Sequence, residues 1–152
     1  MSSGGPARLG YMTQPTHSGR MLFVNMPVAD VERSRTFFGA LGFNFNPQFS
    51  DEQTACMLVG EQAFVMLLSH EKFAEHSKLP AGDPSTHALA LYSFSVDSRE
   101  QVDTVTAAAL ANGAAEADGA EDFGFMYSRS FFDPNGHGWQ VMWMDPAAAA
   151  AD

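Results

Sequence analysis

The chain states one pattern twice, half a chain apart, and that repetition limits its architecture more than any single motif. The first statement opens on "LFVNMPV", residues 22–28, a run of strand formers that ends near a proline. "ADVERSRTFFGALGF" follows. Asp30 is a natural N-cap, Val31, Phe38 and Leu41 recur near one helical face, and Gly42 is a natural stop. Short strand-like runs come next at 43–45, 54–59 and 63–68, then a polar stretch, "SHEKFAEHSK", that reads as a short helix. "LPAGDPS", residues 79–85, with two prolines and a glycine, is the strongest break in the chain. Beyond it the order restarts. "HALALYSFSV" reads as a strand, and Ser98 with Gln101 forms a capping box. Val102, Val105 and Ala109 continue one helical face, and Asn112-Gly113 ends it. A short strand at 114–117, a Gly/Asp-rich loop "DGAEDFG" and a final hairpin complete the second statement. Sequence identity between the halves is faint, so the repeat is one of architecture. The expected organisation is a flexible tail at 1–20, a module at 21–78, a linker at 79–85, a module at 86–146 and a carboxy-terminal tail at 147–152.

Composition narrows the class of partner. A chain of 152 residues with 45% hydrophobic and 17% charged residues builds a packed globule. Its net charge of −10, with only 8 Lys+Arg, supplies no basic stripe for nucleic acid. No apolar run reaches the length of a membrane span, and the first residues carry no apolar signal core. The single cysteine, Cys56, cannot make an internal disulfide and suits a reducing interior. A cytoplasmic location, with neither nucleic acid nor membrane as partner, is the expectation.

The final hairpin, "FFDPNGHGWQVMW", is the most specific local signal. Asp133-Pro134-Asn135-Gly136 has the residue types of a type I turn, with strand formers at 127–132 and 139–144 on either side. His137 opens the second strand, where a turn-flanking role is the ordinary one, whereas Gln140 lies well inside the strand. The other histidines, His17, His70, His76 and His87, are scattered. His70 and His76 are six apart and do not share a helical face.

Three segments together, "VNMPVADVERSRTFFGALGF", "LYSFSVDSREQVD" and "SFFDPNGHGWQVMW", resemble the vicinal oxygen chelate superfamily, which includes glyoxalases, extradiol dioxygenases and fosfomycin- and bleomycin-resistance proteins. The resemblance covers about residues 21–146. It implies an α+β fold of two βαβββ modules whose strands form a cup-shaped mixed sheet with helices outside, and it implies a homodimer. In the family's enzymes a divalent ion sits in the cup, and mapping by motif puts its ligand positions at Phe23, Met66, Leu91 and Gln140. Those residues provide one neutral amide and no carboxylate or imidazole, a set unfit for a hard or borderline cation. No metal and no other cofactor is therefore expected, and metal-assisted polarisation of the substrate does not carry over.

If Phe23 faces the cup, alternation turns Asn25 inward; Leu91 and Ser93 face in by the same count, as do Gln140 and Met142. A simple four-residue turn sets Arg129 opposite Gln140 and Tyr127 opposite Met142, whereas a one-residue bulge turns both outward. The expected ligand-binding set is Phe23, Asn25, Met66, Leu91, Ser93, Tyr127, Arg129, Gln140 and Met142. It describes a pocket for an apolar small molecule, with an anionic group where Arg129 faces in. The competing readings are a core that Phe23, Leu91 and the methionines simply fill, and an Arg129 ion-paired to Glu121, Asp122 or Asp133. Two functions fit: a metal-free small-molecule-binding protein, or a lyase or dioxygenase of the same superfamily with displaced ligands.

Overall fold

The computed structural model describes residues 19–149; the expected amino-terminal tail falls almost entirely outside them, as do the last three residues. Strand β1, Leu22–Val28, leads to helix α1, Val31–Ala40, whose N-cap Asp30 accepts the Arg33 backbone N–H at 3.0 Å. Gly42, at φ +103°, turns the chain out of the helix, as only a residue without Cβ does readily. Strands β2 (Asn44–Phe45), β3 (Thr54–Gly60) and β4 (Ala63–Ser69) follow, then the short helix α2, His70–His76. The second module repeats the order with β5 (Leu91–Ser95), α3 (Arg99–Ala111), β6 (Ala115–Asp122), β7 (Met126–Phe132) and β8 (Gly138–Met144), and one helical turn, α4, Pro146–Ala149, closes it.

Each module makes its own four-stranded mixed sheet, ordered β1-β4-β3-β2 in the first and β5-β8-β7-β6 in the second. The first strand of each module pairs in parallel with the last, and the remaining pairs are antiparallel. The fold is therefore α+β with two βαβββ modules and two open sheets. Among the described residues no helix is long and apolar enough to cross a membrane.

Alternation along the strands sorts side chains onto two faces. Met26, Val28, Val65 and Leu67 of the first sheet share one core with Phe94, Phe131, Trp139 and Val141 of the second. Phe37 and Phe38 of α1 and Val102 and Ala109 of α3 complete it. Phe38 lies 5.0 Å from Trp139 and Phe43 lies 5.0 Å from Phe94, centroid to centroid, so each module buries aromatic rings against the other.

The β7–β8 turn ties the modules by polar contacts as well. The Asp133 carboxylate accepts the backbone N–H groups of Asn135 (2.8 Å) and His137 (3.0 Å) through one oxygen, and the Trp139 indole N–H (2.9 Å) through the other. Asn135 accepts the Ala29 N–H at 2.9 Å and donates to Ser34 Oγ at 3.1 Å. His137 Nε2 lies 2.8 Å from the Pro27 carbonyl, which can only accept, so Nε2 carries the proton. His137 thus serves to join the halves.

Two elements differ from expectation. β6 runs from Ala115 to Asp122, through the acidic stretch that reads as a loop. It is an edge strand, broken by register shifts and solvent-exposed, so it lacks the apolar alternation that marks a half-buried strand. In "HALALYSFSV" only Leu91–Ser95 pairs as strand.

Gly136 and Gly42 separate two costs. Both have positive φ, but a Cβ on Gly136 would stand 3.0 Å from the Ser85 backbone nitrogen, whereas one on Gly42 meets nothing within 4 Å. Gly42→Ala should lose roughly 1–2 kcal/mol, the conformational term alone. Gly136→Ala should lose a further ~1–3 kcal/mol from the backbone clash. Urea denaturation midpoints of the two variants check the order.

Candidate functional site

With one face of each sheet committed to the shared core, the opposite faces both look outward. The outer face of the first sheet carries Phe23 and Asn25 from β1, Cys56 from β3, and Phe64 and Met66 from β4. Phe23 and Phe64 stack at 4.8 Å with their planes 14° apart, yet Phe23 remains 47% exposed. Cys56 is buried, and that burial pushes its thiol pKa up. Helix α2 stands beside this face, and Lys72 and His76 border a cleft floored by Phe23, Asn25, Thr54 and Met66.

The outer face of the second sheet is more polar. Ser93 Oγ donates to Gln140 Oε1 at 3.1 Å, and Gln140 Nε2 lies 3.4 Å from Ser128 Oγ, giving a strip of hydroxyl and amide groups across three strands. Met142 sits beside this strip, paired with Ser95 on one side and Ser128 on the other. Leu91, at the rim, is 76% exposed. Each sheet is open and suited to form one wall of a cup, and in a single chain the two walls do not face each other, because the faces that do form the shared core.

Tyr127 and Arg129 lie elsewhere. Phe132 pairs with Gly138, leaving five residues in the connection, and Gly136 at φ +100° supplies the extra one. Ser130 therefore stands opposite Gln140 and Ser128 opposite Met142, while Tyr127 and Arg129 point to the helix side. Arg129 pairs there with Glu116 (2.8 Å) and Asp103 (3.3 Å) rather than with Glu121, Asp122 or Asp133. The Tyr127 hydroxyl donates to Asp103 at 2.7 Å, and this bond holds its phenol pKa above the ordinary tyrosine range. Arg99 lies over the Tyr127 ring at 4.7 Å and pairs with Asp122. These groups fasten α3 to its sheet.

Register also refines the mapping on the walls. Met66 lies beside Asn25 and Gln140 beside Ser93, whereas Phe23 pairs with Phe64 and Leu91 with Gly138. The central pairs of the two walls are thus Asn25–Met66 and Ser93–Gln140, one alternation further in than Phe23 and Leu91.

A family model described as "Bleomycin resistance protein-like N-terminal" matches residues 20–60. No curated protein sequence matches the chain. Among solved structures, a hypothetical protein from S. aureus superposes with a TM-score of 0.69 at 23% identity, over 89% of this chain and 98% of that one. A glyoxalase/bleomycin resistance protein/dioxygenase family enzyme from Burkholderia phytofirmans gives 0.66 at 19% identity, over 80% and 96%. The genomically encoded fosfomycin resistance protein FosX from Listeria monocytogenes gives 0.58 at 17% identity, over 81% and 89%. The chain has the vicinal oxygen chelate fold.

A metal site of the vicinal oxygen chelate type does not fit the residues at these positions. Whether Phe23 and Leu91 or Asn25 and Ser93 are taken with Met66 and Gln140, the donors are neutral amides, a hydroxyl and a soft thioether. Among the described residues no three His, Cys, Asp or Glu side chains cluster as metal ligands.

Gln140→Glu tests that chemistry. Gln140 is half-buried between Ser93 and Ser128, whose hydroxyls can donate to a carboxylate, so the variant should lose only about 1 kcal/mol at neutral pH. Partial burial raises the folded-state pKa of the new acid. The loss should therefore be complete above that raised pKa and vanish as the pH falls below the unfolded glutamate value. Urea titrations at neutral and acidic pH, with and without Zn²⁺ or Mg²⁺, should show no stabilisation by metal.

Proposed function

We propose that this protein binds a small molecule without the help of a metal, in a cup completed by a second copy of the chain. The observation that carries the reading is the outward orientation of two unlike walls. One wall is largely apolar, with the stacked Phe23–Phe64 pair and Met66; the other carries the neutral strip Ser93–Gln140–Ser128 beside Met142. Such walls left in water expose apolar surface that association would cover: Phe23 is 47% exposed and Leu91 76%. Setting the first wall of one copy against the second wall of the other, twice by a two-fold axis, yields two cups per dimer. Each cup then has apolar sides and a few convergent polar groups, the usual make-up of a small-molecule site. Solved structures of the same fold described as a glyoxalase/bleomycin resistance protein/dioxygenase family enzyme and as a fosfomycin resistance protein support a small-molecule site. With Arg129 turned away and paired, the polar groups at the cup centre are uncharged: Asn25, Ser93 and Gln140.

Sedimentation velocity and methionine-methyl NMR test this together. At micromolar concentration the chain should sediment as a dimer, and the neutral aromatic probe 1-naphthamide should shift the methyl signals of both Met66 and Met142. Leu91→Glu, at an exposed position, should leave the single chain's stability within about 0.5 kcal/mol while weakening the dimer at least tenfold. A monomer in which naphthamide shifts neither methyl would overturn the proposal.

A further inference from the structure

Helix α2 stands where the second module has only the single uncharged turn α4, and what it brings to the first wall is charge. Ser69 caps it, its hydroxyl accepting the Lys72 N–H at 3.0 Å, and Gln53 holds Glu71 at its first turn. Lys72 and His76, four residues apart, lie on one helical face, and both line the cleft above Phe23, Asn25, Thr54 and Met66. Among the described residues no carboxylate lines that cleft, although the chain carries 18 Asp+Glu against 8 Lys+Arg. Arg99 and Arg129 are each engaged by carboxylates on the far side of the second sheet. Among the described residues Lys72 pairs with its helix neighbour Glu75 alone, at 3.3 Å, and the Glu75 side chain is 56% exposed, so water screens that contact. The cleft thus couples an exposed ring face, that of Phe23, to an ammonium and an imidazole at its mouth.

We infer that this cleft takes an aromatic carboxylic acid, its ring laid on Phe23 and its carboxylate turned to Lys72 and His76. The inference rests on the cup proposed above and adds the ligand's chemical class. A planar ring gains most by offset stacking on a half-exposed phenylalanine, with the Met66 thioether against its edge. The carboxylate gains a charge-assisted hydrogen bond from the Lys72 ammonium and a second bond from a His76 ring N–H, and the Asn25 amide can donate as well. The methionine and serine groups of the opposing wall then close over the ring's other face.

The test compares 1-naphthoate with 1-naphthamide, which share a ring and differ in charge, by calorimetric titration of the wild-type protein. Naphthoate should bind about tenfold more tightly, as expected for one added charge-assisted contact. The double variant Lys72→Gln, His76→Gln should bring the two probes to equal affinity, with the loss falling on naphthoate. Lys72→Arg should keep the preference. Phe23→Ala should weaken both probes alike, and the circular dichroism of every variant should match wild type. Naphthamide binding with no preference for naphthoate, or a preference that survives the double variant, overturns this inference and leaves the cup standing. Failure of both probes to bind overturns the cup as well.

Discussion

Packing of Trp139 against Phe38, with Asp133 at the N–H edge of the indole, is the contact on which the rest of the molecule depends. The two modules share a single core, to which each sheet commits one face. The ring contact joins α1 of the first module to β8 of the second. Asp133 fixes the indole through its N–H and the turn through two backbone N–H groups, so one carboxylate positions both the ring and the hairpin. Asn135 and His137 carry that turn to the start of α1 and the end of β1. Polar and apolar contacts therefore specify the same docking of the halves, the agreement between levels expected of a sequence with one folded state.

The shared core has a geometric result. Once Met26, Leu67, Phe94 and Val141 point toward each other, Asn25, Met66, Ser93 and Gln140 must point away. The residues that a single closed cup would gather are distributed over two surfaces. Their chemistry differs as well, aromatic and thioether on one, hydroxyl and amide on the other.

Much of this was legible in the residues. The double strand–helix–strands order, the caps at Asp30 and Ser98, the stops after each helix and the Asp-Pro-Asn-Gly turn all rest on local rules that tertiary packing did not override. Strand alternation puts Phe23 with Asn25, Leu91 with Ser93 and Gln140 with Met142, and each of these pairs shares one face of its sheet. What local rules do not fix is the length of the β7–β8 connection. Four or five residues suit the same turn, and the choice reverses the face of every residue in β7, which is why Tyr127 and Arg129 belong to the helix side. Strand β6 was hidden for a related reason: an edge strand in water has no buried face to leave a mark. The role of α2 was hidden because a short polar helix does not reveal, by its own pattern, which wall it stands beside.

The second sheet has two unlike borders. β6 carries Glu116, Asp118, Glu121 and Asp122 and is twice broken in register, so its outer hydrogen-bonding groups are guarded by like charge and irregular geometry against an added strand. β5, at the other border, is short, uncharged and regular. The sheet can be extended from one side only. Addition of a strand to this sheet is thus disfavoured at β6 and left open at β5, so an acidic strand remote from the centre of either wall decides which border of its sheet another strand could join.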